Sequence, residues 1–193
     1  ADTHRDDPAI WLFTSISTGQ PKAAVHLQQD LHANTERYAK QVLGIREGDL
    51  TVSVPKLFFG YATGANLLFP FAVGAATALF SERSEPATLF DVIERYRPTI
   101  LTSVPTMIGG MLNLAEQEGR ARDLSSLRLV LSAGEALPPE LYRRWVERHG
   151  VEILDGIGSA EMFHIYISNY PGQVVPGSLG RLVPGYEARV VDG

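Results

Sequence analysis

TILTSVPTMIGGMLNLAEQE, residues Thr99–Glu118, decides how the chain is organised. The β-branched, apolar run Thr99–Val104 predicts a strand. Pro105 is placed where the first helical turn needs no N–H, so a helix is predicted from there to Glu118. The unit then recurs: Leu127–Leu131 reads as strand, Pro138–His149 as helix and Glu152–Leu154 as strand. Upstream, Pro86 opens a helix carrying Leu89, Phe90 and Ile93, and Pro98 ends it. Thr51–Val54 and Ala75–Phe80 read as strands on either side of a short apolar helix, Asn66–Ala72. Helical spacing puts Leu31, Thr35, Tyr38, Ala39 and Val42 on one face, with a stop at Gly44. Ile10–Thr14 and Ala23–His26 are two further strand candidates. Strands alternating with helices of this length predict an α/β lobe, residues 1–193, with a mostly parallel sheet covered by helices on both faces.

Ligands of such sheets sit beyond the carboxyl ends of the strands. Three motifs fall there in the sequence: Thr14–Lys22, Ser132–Ala136 and Asp155–Glu161. The rest of the composition narrows the class. Hydrophobic residues make up 45% and charged residues 20% of the 193, as in ordinary globular chains, and the net charge of -5 comes from scattered residues. No basic stripe is present, which argues against nucleic acid. The longest apolar stretch, Leu67–Phe80, is interrupted by Pro70 and Gly74 and is too short for a membrane span. The absence of cysteine suits a reducing compartment, so a cytoplasmic location is expected. The charged opening ADTHRDDP and the closing GYEARVVDG, which ends on a strand-like alternation, read as cuts within a longer protein. The charged stretch Glu116–Asp123, EQEGRARD, reads as a solvated connection, and His26, His32 and His149 show no metal-ligand spacing.

The loop TSISTGQPK, Thr14–Lys22, offers the hydroxyls of Thr14, Ser15, Ser17 and Thr18, then Gly19, Pro21 and Lys22. A polyphosphate needs many converging donors and a cation, and a loop after an apolar strand supplies both. A Walker loop would end in Gly-Lys-Ser/Thr, whereas Gly19 is followed by Gln20 and Pro21. An ordinary polar turn remains the alternative on composition alone. SAGEALP, Ser132–Pro138, is open to a similar alternative as a tight strand-to-helix turn.

With SAGEALP, DGIGSAEMFHIY at Asp155–Tyr166 and GSLGRLVPGYEARVVD at Gly177–Asp192, the phosphate-loop pattern resembles the acyl-adenylating superfamily. KLFFGY at Lys56–Tyr61 and the Met-Phe-His-Ile run after Glu161 are most similar to its benzoate-type CoA ligases. The resemblance covers nearly the whole chain and implies a subdomain of the adenylating-enzyme large domain. It implies ATP, Mg²⁺ and coenzyme A as ligands of the intact enzyme, with a small carboxylic acid, benzoate-like, as substrate. Thr14, Ser15, Ser17, Thr18, Gly19 and Lys22 would hold the ATP phosphates, with Lys22 near the leaving pyrophosphate. Gly134, Glu135 and Ala136 would form one wall of the adenine site, and Asp155, Gly156 and Ile157 the other. Glu161 would hold Mg²⁺ and, with Lys22, count as catalytic. Phe59, Gly60, Tyr61, His164 and Ile165 would line the aryl pocket. His164 could donate a hydrogen bond to the substrate carboxylate or sit satisfied beside the sheet.

Two positions depart from the family pattern. Ile16 stands where glycine is usual, and a β-branched residue forced into the left-handed region costs on the order of 1–2 kcal/mol. Ala160 replaces the threonine that contacts the α-phosphate, with Ser159 beside it. The ribose-gripping aspartate, the hinge, the catalytic lysine of the small C-terminal domain and the upstream lobe all lie outside these 193 residues. Little or no ligase activity is therefore expected of this polypeptide alone. A non-catalytic nucleotide- or aryl-binding lobe, and an adenylation module that loads a carrier protein, remain alternatives.

Overall fold

The structure is a computed structural model that describes residues 2–14, 22–119 and 121–191. A seven-stranded sheet forms its centre, in the order β4-β3-β5-β6-β7-β8-β9. The strands β3 (Leu50–Ser53), β4 (Ala76–Thr77), β5 (Ile100–Ser103), β6 (Leu129–Ser132) and β7 (Ile153–Gly158) are parallel. β8 (Ile165–Ser168) and β9 (Arg181–Leu182) add two antiparallel strands beyond β7. Apart from this sheet, β1 (Pro8–Thr14) and β2 (Lys22–Leu27) pair as an antiparallel hairpin.

Alternation along the strands explains why both sheet faces are covered. Leu101, Val130 and Ile153 enter one core with α4 (Pro86–Tyr96), α5 (Pro105–Glu118) and α6 (Pro139–His149). Their strand neighbours Ile100, Leu129, Leu131 and Leu154 enter the other. There they meet the π-type stretch Thr35–Lys40, which continues α1 (Gln28–Asn34), and a second chain of turns. That second chain is α2 (Gly60–Thr63), a π-type stretch Gly64–Leu68 and α3 (Phe69–Ala72). Thr35, Tyr38, Ala39 and Val42 are buried along the stripe that the helical spacing predicts, and Leu31 is half-buried.

Local chemistry sets the helix limits. α4, α5 and α6 each begin on proline. Gly119 and Gly150 close α5 and α6 in the left-handed conformation, where a residue without Cβ meets no steric penalty. No helix among the described residues is long and apolar enough to cross a membrane.

Four expectations need correction. The strand expected over Ala75–Phe80 shrinks to Ala76–Thr77. The helix expected over Asn66–Ala72 belongs to a longer winding that starts at Gly60. The strand-like alternation at the end of the chain forms no strand after Leu182 among the described residues, although the Val183 N–H still bonds Tyr166 O at 2.9 Å. Within Glu116–Asp123, Arg122 is no solvated residue. Its side chain is 4% exposed and bonds Glu118 (2.8 and 2.7 Å) and Asp91 (3.2 Å), with Glu94 at 3.5 Å. A guanidinium survives burial when its donors meet carboxylates, and here three carboxylates do so.

Candidate active site

The strand ends bring the predicted segments together. Phe59, Gly60, Tyr61, His164 and Ile165 all line one cavity of about 420 Å³. Gly134, from the turn after β6, and Ser159 and Ala160, just after β7, line it too. Trp11 and Phe13 of the hairpin and Phe58 complete its aromatic mouth, with Phe58 and Phe59 78% and 55% exposed, and buried Leu12 lines it as well. The cavity thus joins the segment predicted to take an aryl acid to Gly134 of one predicted adenine wall and to Ser159 and Ala160, whereas Asp155, Gly156 and Ile157 of the other wall do not line it.

Gly60 opens α2 directly against Leu12, since a Cβ on it would lie 2.8 Å from Leu12 Cδ1. Gly64 has the same role for His164, because a Cβ there would lie 2.5 Å from His164 Cδ2. Small residues at these points let the hairpin and the imidazole close the pocket.

His164 is buried, and its Nε2 lies 2.9 Å from the carbonyl oxygen of Tyr61. A carbonyl only accepts, so Nε2 carries the proton and Nδ1 is the bare nitrogen, which has no partner. The Tyr61 hydroxyl is likewise buried and unpartnered. Burial pushes His164 down to about 4, against a raising influence from Tyr61 O. The ring is therefore neutral at pH 7 and its single N–H is committed to the protein. Of the two roles open in the sequence, the geometry favours the imidazole as a fixed wall over a donor to a carboxylate.

A depressed histidine also makes stability pH-dependent. The unfolded ring takes up a proton near its ordinary value of 6.5, while the folded one does so only near 4. The folded state therefore loses stability as pH falls from 6.5 towards 4, on the order of 2 kcal/mol from His164 by pH 5. His149, also pushed down to about 4 by burial, adds to this loss. Asp155, whose carboxyl burial raises, offsets part of it. Urea unfolding at pH 7 and pH 5 checks the sign: the midpoint should fall, and should fall less in His164→Met.

The predicted adenine residues separate. Glu135 and Ala136 are exposed after β6, and Glu135 accepts a 2.7 Å hydrogen bond from the Thr106 hydroxyl. Asp155 points inward and accepts from the Ser132 hydroxyl (2.9 Å) and the Leu137 N–H (3.3 Å). Its carboxylate thus ties β7 to β6 and the turn above it. Gly156 is buried against β8, where a Cβ would lie 2.7 Å from Ile167 O, and Ile157 is 38% exposed. β7 therefore continues through Asp155–Gly158, past the Leu154 limit expected from the sequence. Their glycines admit a neighbouring backbone instead of making a turn.

Of the residues expected to hold phosphate, Thr14 and Lys22 pair across the hairpin. Ser15, Ile16, Ser17, Thr18 and Gly19 lie outside the described residues. Glu161 is exposed on a short 3₁₀ turn, Ala160–Met162. Its own N–H and the Ser159 hydroxyl hold its carboxyl below the usual value, so it is ionised at pH 7. Among the described residues no group of three or more His, Cys, Asp or Glu side chains could hold a metal by itself.

Two features at this turn escape sequence reading. Phe163 follows it at φ 69°, a positive value rare for a residue with a side chain, and is buried. His26, without ligand spacing, is buried under the hairpin and reaches Ala160 O at 2.6 Å. The only sequence signal for His26 is its place two residues after Ala24, on the inward face of β2.

A profile of AMP-binding enzymes matches residues 1–193. The chain belongs to the AMP-binding enzyme family. It is 49% identical over its whole length to a benzoate–CoA ligase of Thauera aromatica, spanning 36% of that protein. It is 38% identical to an anthranilate–CoA ligase of Pseudomonas aeruginosa, with 98% of this chain and 36% of that protein covered. Among solved structures, an anthranilate CoA ligase, AuaEII, in complex with anthranoyl-AMP superposes with TM-score 0.94 at 42% identity. That match covers 100% of this chain and 37% of the other. A benzoate CoA ligase from Burkholderia xenovorans LB400 superposes with TM-score 0.86 at 43% identity, over 97% of this chain and 37% of the other. The chain thus spans little more than a third of the length of these relatives.

Proposed function

We propose that this AMP-binding chain forms the acid-binding and part of the nucleotide-binding site of an AMP-forming aryl acid–CoA ligase. The observation that carries this reading is the single cavity shared by Phe59, Gly60, Tyr61, His164 and Ile165 with Gly134, Ser159 and Ala160. A flat apolar acid seated there would present its carboxylate towards the nucleotide end. The similarity to ligases of benzoate and anthranilate supports the aryl class.

In the reaction, a carboxylate oxygen attacks the α-phosphorus of ATP, the bond to pyrophosphate breaks, and an acyl-adenylate forms. The thiol sulfur of coenzyme A then attacks the acyl carbon, loses its proton and displaces AMP. The protein's task is to align two anions and neutralise charge on the leaving oxygens, which requires no nucleophile of its own. Lys22 and the hydroxyls of the phosphate loop serve the leaving group. Glu161, exposed and ionised, is the carboxylate suited to Mg²⁺, which keeps several waters and is held by one or two carboxylates together with substrate phosphates. When bound, Mg²⁺ supplies charge neutralisation on the phosphate oxygens. Gly134, Glu135 and Ala136, with the exposed Ile157, are the residues left to face the base. Neutral His164 shapes the acid pocket without adding charge.

Calorimetry on this chain with benzoate and with an aliphatic acid of similar size tests the pocket. Benzoate binding with no aliphatic signal is expected, and a preference for the aliphatic acid would discard the aryl assignment. In the phosphate loop, Ile16→Gly should tighten MgATP binding, by about tenfold if relief of left-handed strain is the cause. An unchanged affinity would mean that the loop never required glycine at that position.

A further inference from the structure

The hairpin carries the phosphate loop, the 3₁₀ turn carries Glu161, and one buried side chain joins them. His26, 4% exposed, lies on β2 with its Nε2 2.6 Å from Ala160 O, across 134 residues of sequence. Because the carbonyl can only accept, His26 donates through Nε2. Asp30 faces the other ring nitrogen at 3.5 Å, and its carboxylate also accepts the Leu27 N–H at 2.9 Å. The strained Phe163 sets its ring edge-on against the imidazole, with centroids 5.4 Å apart. The imidazole is thus oriented from both sides, and its donor is spent on the residue next to Glu161.

We propose that His26 is a positioning residue that latches the phosphate-loop hairpin to the Glu161 turn, holding the two halves of the nucleotide site in register. This rests on the reading of Lys22 and Glu161 as nucleotide ligands. It gives Ala160 a role that needs no side-chain hydroxyl: its carbonyl is the anchor. It also ties a hairpin outside the main sheet to the turn that follows β7.

The test compares His26→Ala with His26→Gln, whose amide Nε2 donates at nearly the reach of the imidazole Nε2. In this chain, hairpin amides between Ile10 and Leu27 should exchange about tenfold faster in His26→Ala, the consequence of one lost buried hydrogen bond, and near the original rate in His26→Gln. In the full-length enzyme, KM for MgATP should rise about tenfold in His26→Ala, more than KM for the aryl acid, with recovery in His26→Gln. Unchanged hairpin exchange in His26→Ala would overturn the latch. So would a His26→Gln variant as defective as His26→Ala, or equal rises in both KM values. If the unaltered full-length protein adenylates no aryl acid, the functional reading fails, and the exchange experiment still decides whether the latch exists.

Discussion

Gly158→Ala is expected to cost on the order of 3 kcal/mol or more, and to leave little folded protein at 37 °C. A Cβ on Gly158 would stand 2.6 Å from His164 O and 2.8 Å from His164 C. Both are backbone atoms of the segment entering β8, so no side-chain rotation can relieve the contact. The strands would have to part where β7 and β8 shift register, between Ile157 and Gly158. That parting would move His164 and Ile165 out of the cavity wall. Gly48→Ala is the control, since a Cβ there meets nothing within 4 Å. Its unfolding midpoint should stay within about 0.5 kcal/mol of the parent chain.

Asp49→Ala is expected to cost about 3–5 kcal/mol, the usual penalty for removing one partner of a buried ion pair. The Asp49 side chain is 1% exposed and accepts from Arg128 Nε (2.8 Å), Arg128 Nη2 (2.7 Å), the Thr99 hydroxyl (2.8 Å) and the Arg46 N–H (3.0 Å). Burial pushes its carboxyl up, but these bonds outweigh burial and hold it below the ordinary value. Stability from this group is therefore present above about pH 4 and is lost as pH falls through the lower folded value. The cluster knits the entrances of β3, β5 and β6, the end of the sheet away from the cavity. Asp49→Asn keeps an acceptor for Arg128 and should lose clearly less than Asp49→Ala. Equal losses in chemical denaturation would show that the charge, and not the hydrogen bonding, carries the stabilisation.

Much of the framework was legible because local signals and tertiary packing agree. The helix predicted over Pro105–Glu118 has those limits in the structure, since proline fixes its start and Gly119 its end. The strands read over Thr99–Val104 and Leu127–Leu131 span Ile100–Ser103 and Leu129–Ser132, and their residues alternate between two buried faces. Legibility failed where a residue type serves a distant contact. The strand read over Glu152–Leu154 runs on to Gly158, because Gly156 and Gly158 admit the backbone of β8 and its entrance. Ile165 was legible as pocket lining yet not as strand, because β8 pairs antiparallel at the edge of a parallel sheet. The cavity's aromatic segment was legible by resemblance, whereas Leu12 and His26 were not. Their roles come from folding the hairpin over the strand ends, which no local period encodes. Asp155 carries a motif position while its carboxylate is spent on Ser132 and Leu137.

The most direct test of aryl acid activation is ATP–pyrophosphate exchange in the full-length protein with benzoate, aminobenzoates and aliphatic acids of matched size. Exchange that depends on aryl acids, with aliphatic acids at background, is the predicted result. Preferential exchange with aliphatic acids, or none with any acid, would contradict it.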